Sequence, residues 1–235
     1  MAWTEIIHAD ADALAAAVAA RLGAALDEAL RLRQRAVLAL AGGRTSPPVF
    51  RRLAAQPRDW RSVTLLPSDE RWVAANHPDC NLSQLQAAFS AAHGMHWIGL
   101  APPRPSGAPD ASYANTELAP FAAAFDAALL GMGADGHVAS LFPGAPTLAR
   151  ALDAATEEAA IAIAPDPLPV AGPHPRISLT LARLLHSRCV LLALTGGDKL
   201  DVLRRAQREM SDRSRLPVAA LLHAPASRVE IHWSP

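Results

Sequence analysis

Short apolar runs that end in glycine or charge, each followed by helical spacing, recur along this chain, and that alternation narrows it to one class of fold. Ala36–Ala41 runs into Gly42-Gly43, and Val63–Pro67 into Ser68-Asp69-Glu70-Arg71. Asp126–Leu130 runs into Gly131-Met132-Gly133, and Cys189–Thr195 into Gly196-Gly197. Other strand-like runs are His96–Leu100, Ala159–Ala164, Arg176–Thr180 and Arg228–Trp233. Helical spacing lies between them, at Asp10–Leu32 with Asp10 as N-cap, Asn81–Ala91, Asp110–Phe121, Leu181–His186, Asp198–Glu209 and Pro217–His223. Gly99–Ala111 and Pro165–Pro175, the second with five prolines, read as loops. Strands alternating with helices predict an α/β fold: an open, mostly parallel sheet with helices on both faces, a Rossmann-like three-layer sandwich. The unbroken apolar character of several strands fits burial on both sides.

Composition sets limits on partners. A chain of 235 residues suits one domain spanning 1–235, and 51% hydrophobic against 19% charged residues excludes a disordered chain. Lys+Arg and Asp+Glu are both 22, so the formal net charge is zero. Such a chain has no overall field for duplex nucleic acid or an anionic membrane, and neither partner is expected. An anionic ligand must therefore be held by a few well-placed groups. Cys80 and Cys189 are too few for a disulfide scaffold or a four-thiolate zinc site, and read as reduced thiols. The opening MAWTEIIHADADAL lacks a basic n-region, and the most apolar stretches, Ala13–Ala20 and Cys189–Leu194, fall far short of a membrane span. A cytoplasmic protein is expected.

In open α/β sheets ligands collect beyond the carboxyl ends of the strands, and four such ends carry unusual chemistry here. Gly42-Gly43-Arg44-Thr45-Ser46-Pro47 offers backbone N–H groups and hydroxyls to an anion, without the Gly-Lys-Ser/Thr ending of a nucleotide P-loop. The plain alternative is a strand-to-helix turn capped by Ser46. At Ser68–Arg71, the Arg71 fork suits a carboxylate or phosphate, and Asp69 and Glu70 suit fixing that arginine or receiving sugar hydroxyls. The plain alternative is a solvated strand exit. In Gly131–His137 a carboxylate, Asp135, stands two residues from an imidazole, His137, which it can orient. An imidazole titrating near pH ~6.5 suits general base work. The alternative has Asp135 capping a helix over His137–Phe142. Gly196-Gly197-Asp198-Lys199 opens a helix, where a lysine suits phosphate, or simply solvent. His93 and His96 are at helical spacing with no convincing third ligand, so no metal is expected. The Gly-x-Ser-x-Gly elbow of common serine hydrolases is absent from the sequence.

Taken in order, these segments resemble the 6-phosphogluconolactonases, which share a superfamily with glucosamine-6-phosphate isomerases. Ala41–Pro47 resembles the family's SGGSTP loop, and Asp69-Glu70-Arg71 with Asn81 its DERxV…SN segment. Leu130–Pro143, LGMGADGHVASLFP, is close to its LGxGxDGHTASLFP; Arg176–Thr180 resembles its RITLT, and Gly197-Asp198-Lys199 its helix start. Departures are Arg44 for serine, one extra residue before Pro47, Cys80 for serine and Val138 for threonine.

The resemblance implies hydrolysis of 6-phospho-D-glucono-1,5-lactone without a cofactor. It makes His137 the general base and Asp135 its positioning partner, and lets backbone N–H groups of the glycine loops, such as Gly42 and Gly43, stabilise the oxyanion. Arg71 and Lys199 are the leading phosphate partners, with Arg44 and Arg176 as candidates; Thr45 and Asp69 complete the expected site. The isomerases read GHIAFNEP, with a glutamate where this chain has Phe142. Losing that carboxylate removes a member of the proton relay that isomerisation needs. The alternatives are an amino-sugar-phosphate isomerase/deaminase and a non-catalytic sugar-phosphate sensor. The expected partner is a small sugar-phosphate lactone, and the expected state a monomer or weak homo-oligomer.

Overall fold

The computed structural model describes residues 3–43, 45–169, 172–208, 215–225 and 228–235. The chain opens with a strand, β1 (Trp3–Ile7), and a long helix, α1 (Ala11–Arg33). Asp10 caps α1 as expected, its Oδ1 accepting from the Ala13 N–H at 2.8 Å. The helix stops at Gln34, which turns left-handed at φ 58° and donates its N–H to Leu30 O. Next come β2 (Ala36–Leu40), α2 (Ser46–Ala54), β3 (Val63–Pro67), β4 (Asp69–Arg71), α3 (Asn81–Ala88) and β5 (His96–Trp97). The middle holds α4 (Ser112–Leu118), β6 (Ala127–Leu130), α5 (Leu148–Ala151), β7 (Ala160–Ile163) and β8 (Arg176–Leu179). The chain finishes with α6 (Leu181–Leu185), β9 (Val190–Thr195), α7 (Gly197–Arg208), α8 (Pro217–Leu222) and β10 (Val229–Ser234).

Seven strands form one parallel sheet in the order β1-β10-β9-β6-β2-β3-β5. Its central strands are buried on both faces, as their apolar runs require. Leu38, Leu40, Leu65, Leu129 and Leu191 pack into one core with α1 and α2, while Ala39, Leu66, Leu130 and Leu192 pack into a second core on the other side. From β2 the chain runs outward through β3 to β5, then returns to place β6 beside β2 and runs outward the other way. The β2/β6 boundary is thus a topological switch point, where crevices open beyond the strand ends.

Several expectations need correction. Ala159–Ala164 and Arg176–Thr180 do not join the parallel sheet; with β4 they form a separate antiparallel sheet in the order β4-β8-β7. Ser68 links the two sheets: its N–H donates to Leu40 O at the end of β2, and its carbonyl accepts from the Leu179 N–H of β8, both at 3.0 Å. No helix covers His137–Phe142: the segment folds back on itself through bridges from Val138 to Met132 and to Leu141. β1 carries no strand signal in the sequence because it is an edge strand, half polar and mostly exposed. The run at His96 pairs only over His96–Trp97, and Glu209 lies outside the described residues.

β10 sets an acid limit on the fold. His232 is buried at 3% exposure, with Nδ1 3.0 Å from His8 Nε2. Burial first, and the His8 ring next, pull His232 down to about 4 from its ordinary 6.5. The unfolded chain therefore binds the extra proton between those values, so stability present above pH 6.5 is lost as the pH falls towards 4. At ~1.4 kcal/mol per unit the loss is at most about 3 kcal/mol. Urea midpoints measured across this window should fall more steeply for the wild type than for His232→Gln. Parallel slopes would show that His232 is not the group responsible.

Candidate active site

The four strand ends singled out in the sequence belong to β9, β6, β2 and β3, which are neighbours at the centre of the sheet. Beyond them opens a cleft of about 580 Å³. Gly42, Gly43, Thr45, Asp69, Arg71, His137, Arg176 and Lys199 all line it. Asp135 stands behind His137, and Arg44 lies outside the described residues. Residues separated by more than a hundred positions thus meet because consecutive parallel strands end on one edge.

The segment after β6 is folded tightly on itself. The Gly133 N–H donates to His137 O at 2.9 Å, and the Gly136 N–H to Gly133 O at 3.0 Å. Gly136 turns left-handed at φ +81°, and its carbonyl accepts from the Val218 N–H at 2.9 Å, which ties the loop to α8. This frame brings His137 Nδ1 to 2.6 Å from Asp135 Oδ1, which also accepts from the His137 main-chain N–H at 3.2 Å. Burial pushes the Asp135 carboxyl up, but its bonds to His137 outweigh that and hold it below the usual range. An ionised carboxylate at Nδ1 selects the tautomer whose lone pair is on Nε2. Gly133 has to lack a side chain here, since a Cβ would lie 2.2 Å from His137 Cε1.

On its other side the imidazole meets Phe142, with ring centroids 4.3 Å apart, and the Arg176 guanidinium lies 5.6 Å from the centre of that phenyl ring. The position that carries a glutamate in the isomerase motif is therefore an apolar wall in direct contact with the histidine.

The small antiparallel sheet supplies the charge. Strand alternation turns Asp69 and Arg71 towards the cleft and Glu70 away from it. Glu70 accepts from the N–H groups of Arg71, Asn81 and Leu82 at 2.7–2.8 Å, so it caps the start of α3 and is not placed to receive a sugar hydroxyl. Burial pushes its carboxyl up, against those N–H groups pulling it down. Arg71 sits directly opposite Arg176 across the β4–β8 pair. Like charges in that register destabilise a sheet. Burial first, with Arg71 adding to it, pulls Arg176 down, while Asp69 pushes it back up from 4.0 Å. Two guanidinium groups held side by side at a cleft suit a dianion.

Sequence reasoning missed the groups that hold these charges in place. Asp69 Oδ2 accepts from Ser140 Oγ at 2.6 Å, and its Oδ1 from Ser68 Oγ at 3.0 Å. Asn81 Nδ2 donates to Asp69 O and its Oδ1 accepts from Arg71 Nη1, both at 2.6 Å. Gly42 packs on the same asparagine, where a Cβ would meet Asn81 Oδ1 at 2.7 Å. The glycine of the loop and the asparagine of the DER…N pattern were both visible as letters; their contact was not. Ser46 is the first residue of α2 and not its cap, and its Oγ donates back to Gly42 O at 3.2 Å. His93 and His96 are exposed and flank a bend instead of sharing a helix face.

The chain as a whole matches known proteins in sequence and in fold. The sequence profile for glucosamine-6-phosphate isomerases/6-phosphogluconolactonase matches residues 9–233. A 6-phosphogluconolactonase of Pseudomonas putida is 36% identical over 232 residues, covering 97% of this chain and 91% of its own. The crystal structure of a 6-phosphogluconolactonase from Shewanella baltica OS155 superimposes with a TM-score of 0.91 at 31% identity, over 99% of this chain and 97% of that one. A monomeric glucosamine-6-phosphate deaminase, 18% identical, shares the fold with a TM-score of 0.74 over 98% of this chain and 97% of its own. The fold by itself thus accommodates both chemistries. With nearly its whole length matched, this chain is a member of the glucosamine-6-phosphate isomerase/6-phosphogluconolactonase family of enzymes.

Proposed function

We propose that residues 1–235 act as one catalytic unit that hydrolyses 6-phospho-D-glucono-1,5-lactone to 6-phospho-D-gluconate, with His137 as general base. The observation that carries this reading is the set of contacts on His137: a carboxylate at Nδ1 and a phenyl ring on its flank. That arrangement suits one proton moved between water and a leaving oxygen. An aldose–ketose isomerase needs a further acid at the Phe142 position, and a sensor has no use for an oriented imidazole.

In the proposed cycle, water attacks the lactone carbonyl carbon and passes a proton to His137 Nε2. Backbone N–H groups of the Gly42-Gly43 loop would face the oxyanion. The tetrahedral intermediate then expels the ring oxygen, which takes the proton back from the imidazolium, and the acid formed ionises in solvent. General base work of ~10²–10⁴ and oxyanion stabilisation of ~10²–10³ are the contributions asked of the site. The phosphate, at roughly −1.5 to −2 charge, is assigned to Lys199 in the first turn of α7, to Arg71 and Arg176, and to Thr45 at the head of α2. Asp69, anchored by its two serines, orients Arg176 and faces the sugar. Placement in the cytoplasm and in the oxidative pentose phosphate pathway belongs to the same proposal. Among the described residues no helix is long and apolar enough to cross a membrane, which is compatible with it.

The test supplies freshly generated 6-phosphogluconolactone and follows acid release, with glucosamine 6-phosphate assayed in parallel. Rapid acid release without ammonia supports the proposal. Ammonia from the second substrate, or binding of both without turnover, overturns it. Lys199→Ala should mainly raise KM, by ~10-fold or more for one lost charge-assisted contact, and leave kcat within a few-fold. A fall confined to kcat would remove Lys199 from the phosphate subsite.

A further inference from the structure

At the rim of the cleft, outside the set of groups assigned to the reaction, two loops bring together His77, Asp79 and His174. We propose that these three side chains form a binding site for a divalent transition-metal ion of the zinc type. Their donor atoms all lie within 4.8 Å of one another, and all three residues are half-buried. His174 Nε2 is already 2.9 Å from Asp79 Oδ2. The His77 and His174 rings stand 5.1 Å apart at 82°, edge to face.

Two imidazoles and one carboxylate are a donor set suited to borderline ions such as Zn²⁺ or Co²⁺. With bonds of ~2.0–2.2 Å, ligand atoms on one ion stand roughly 3–3.5 Å apart. The His174–Asp79 pair needs almost no movement, and His77 needs a side-chain shift on the order of 1 Å. His77 Nδ1 now accepts from the Asp79 N–H at 3.1 Å, a contact that ligation through this nitrogen would replace. Arg71 and Arg176 lie close by and oppose a cation, which sets the expected affinity below that of a structural zinc site.

The placement gives such an ion a consequence for the cleft. The main-chain carbonyl of Asp79 accepts from Arg71 Nη1 at 2.8 Å, and that of His174 accepts from Arg176 Nε at 3.0 Å. An ion held by the side chains of the same two residues clamps together the loops that position both cleft arginines. Spacing in the sequence could not reveal this set, because 95 residues separate Asp79 from His174.

The experiment titrates Zn²⁺ by calorimetry into the tag-free, chelator-treated full chain, and into His77→Gln, His174→Gln and His137→Gln. Its readout is binding, so it stands apart from the lactonase assignment. Wild type and His137→Gln should each bind one Zn²⁺ per chain, with affinity at least ~10-fold lower in either rim variant, the scale of losing even an outer-shell partner. Zn²⁺ should also raise the thermal midpoint of the wild type but not of His174→Gln. Absence of stoichiometric binding overturns the proposal, as does equal binding by the wild type and both rim variants. Loss of binding in His137→Gln alone overturns it too, since it would place the ion on the catalytic imidazole.

Discussion

Replacing His137 by alanine should lower kcat for the lactone by at least ~10²-fold while KM stays within a few-fold. The asymmetry follows from where the residue sits. His137 contacts Asp135 and Phe142, whereas the cationic side chains that line the cleft come from β4, β8 and α7. On the proposed mechanism, removing the imidazole strips proton transfer from the barrier and leaves the charge assigned to holding the substrate. Near-normal turnover in the variant would show that some other group accepts the proton.

The sequence exposed the residues that line the cleft more completely than the strand pairing around them. Strand ends are legible because the chemistry there, Gly42-Gly43, Asp69-Glu70-Arg71, Asp135-Gly136-His137 and Lys199, conflicts with the apolar runs that precede it. Parallel topology then places those ends on one edge, so naming them comes close to naming the cleft. What stayed hidden depends on pairing between distant segments. β4 reads as a charged exit until β8 supplies its antiparallel partner, and only then do Arg71 and Arg176 face each other. Likewise Glu70 has the same local pattern as Asp69, and strand alternation alone decides that one caps α3 while the other lines the cleft. Ser140 and Ser178 are ordinary letters in a helix-like or strand-like run. Their role emerges from two bonds: Ser140 Oγ to Asp69, and the Ser140 N–H to Ser178 Oγ at 3.2 Å. β1 escaped because an edge strand buries too little to impose a pattern on its residues.

Gly133→Ala should be nearly as damaging as loss of the histidine itself, through a single methyl group that touches no substrate. The added Cβ would lie 2.2 Å from His137 Cε1, 2.3 Å from its Nδ1 and 2.6 Å from Asp135 Oδ1, all far inside contact distance. Something has to yield, and the main chain is the less able to do so. Gly133 donates to His137 O and accepts from the Gly136 N–H, and the Met132–Val138 bridge closes the loop beside it. Phe142 stands against the ring on one flank, so the imidazole must rotate away from Asp135 to make room. A displacement of about 1 Å at a reacting group costs on the order of 10²-fold, and kcat should fall by that much. Position 133 is not left-handed, so alanine adds no backbone strain of its own, and the thermal midpoint should move by only a few degrees. KM should hold within a few-fold, because Lys199, Arg71 and Arg176 sit on other elements. A parallel rise in KM would mean that the whole 131–142 segment had shifted, which would refute a local displacement of the base. Unchanged kcat would show that the Asp135–His137 contact is not needed at its present geometry, and would count against the orienting role of Asp135 even if His137 remained essential.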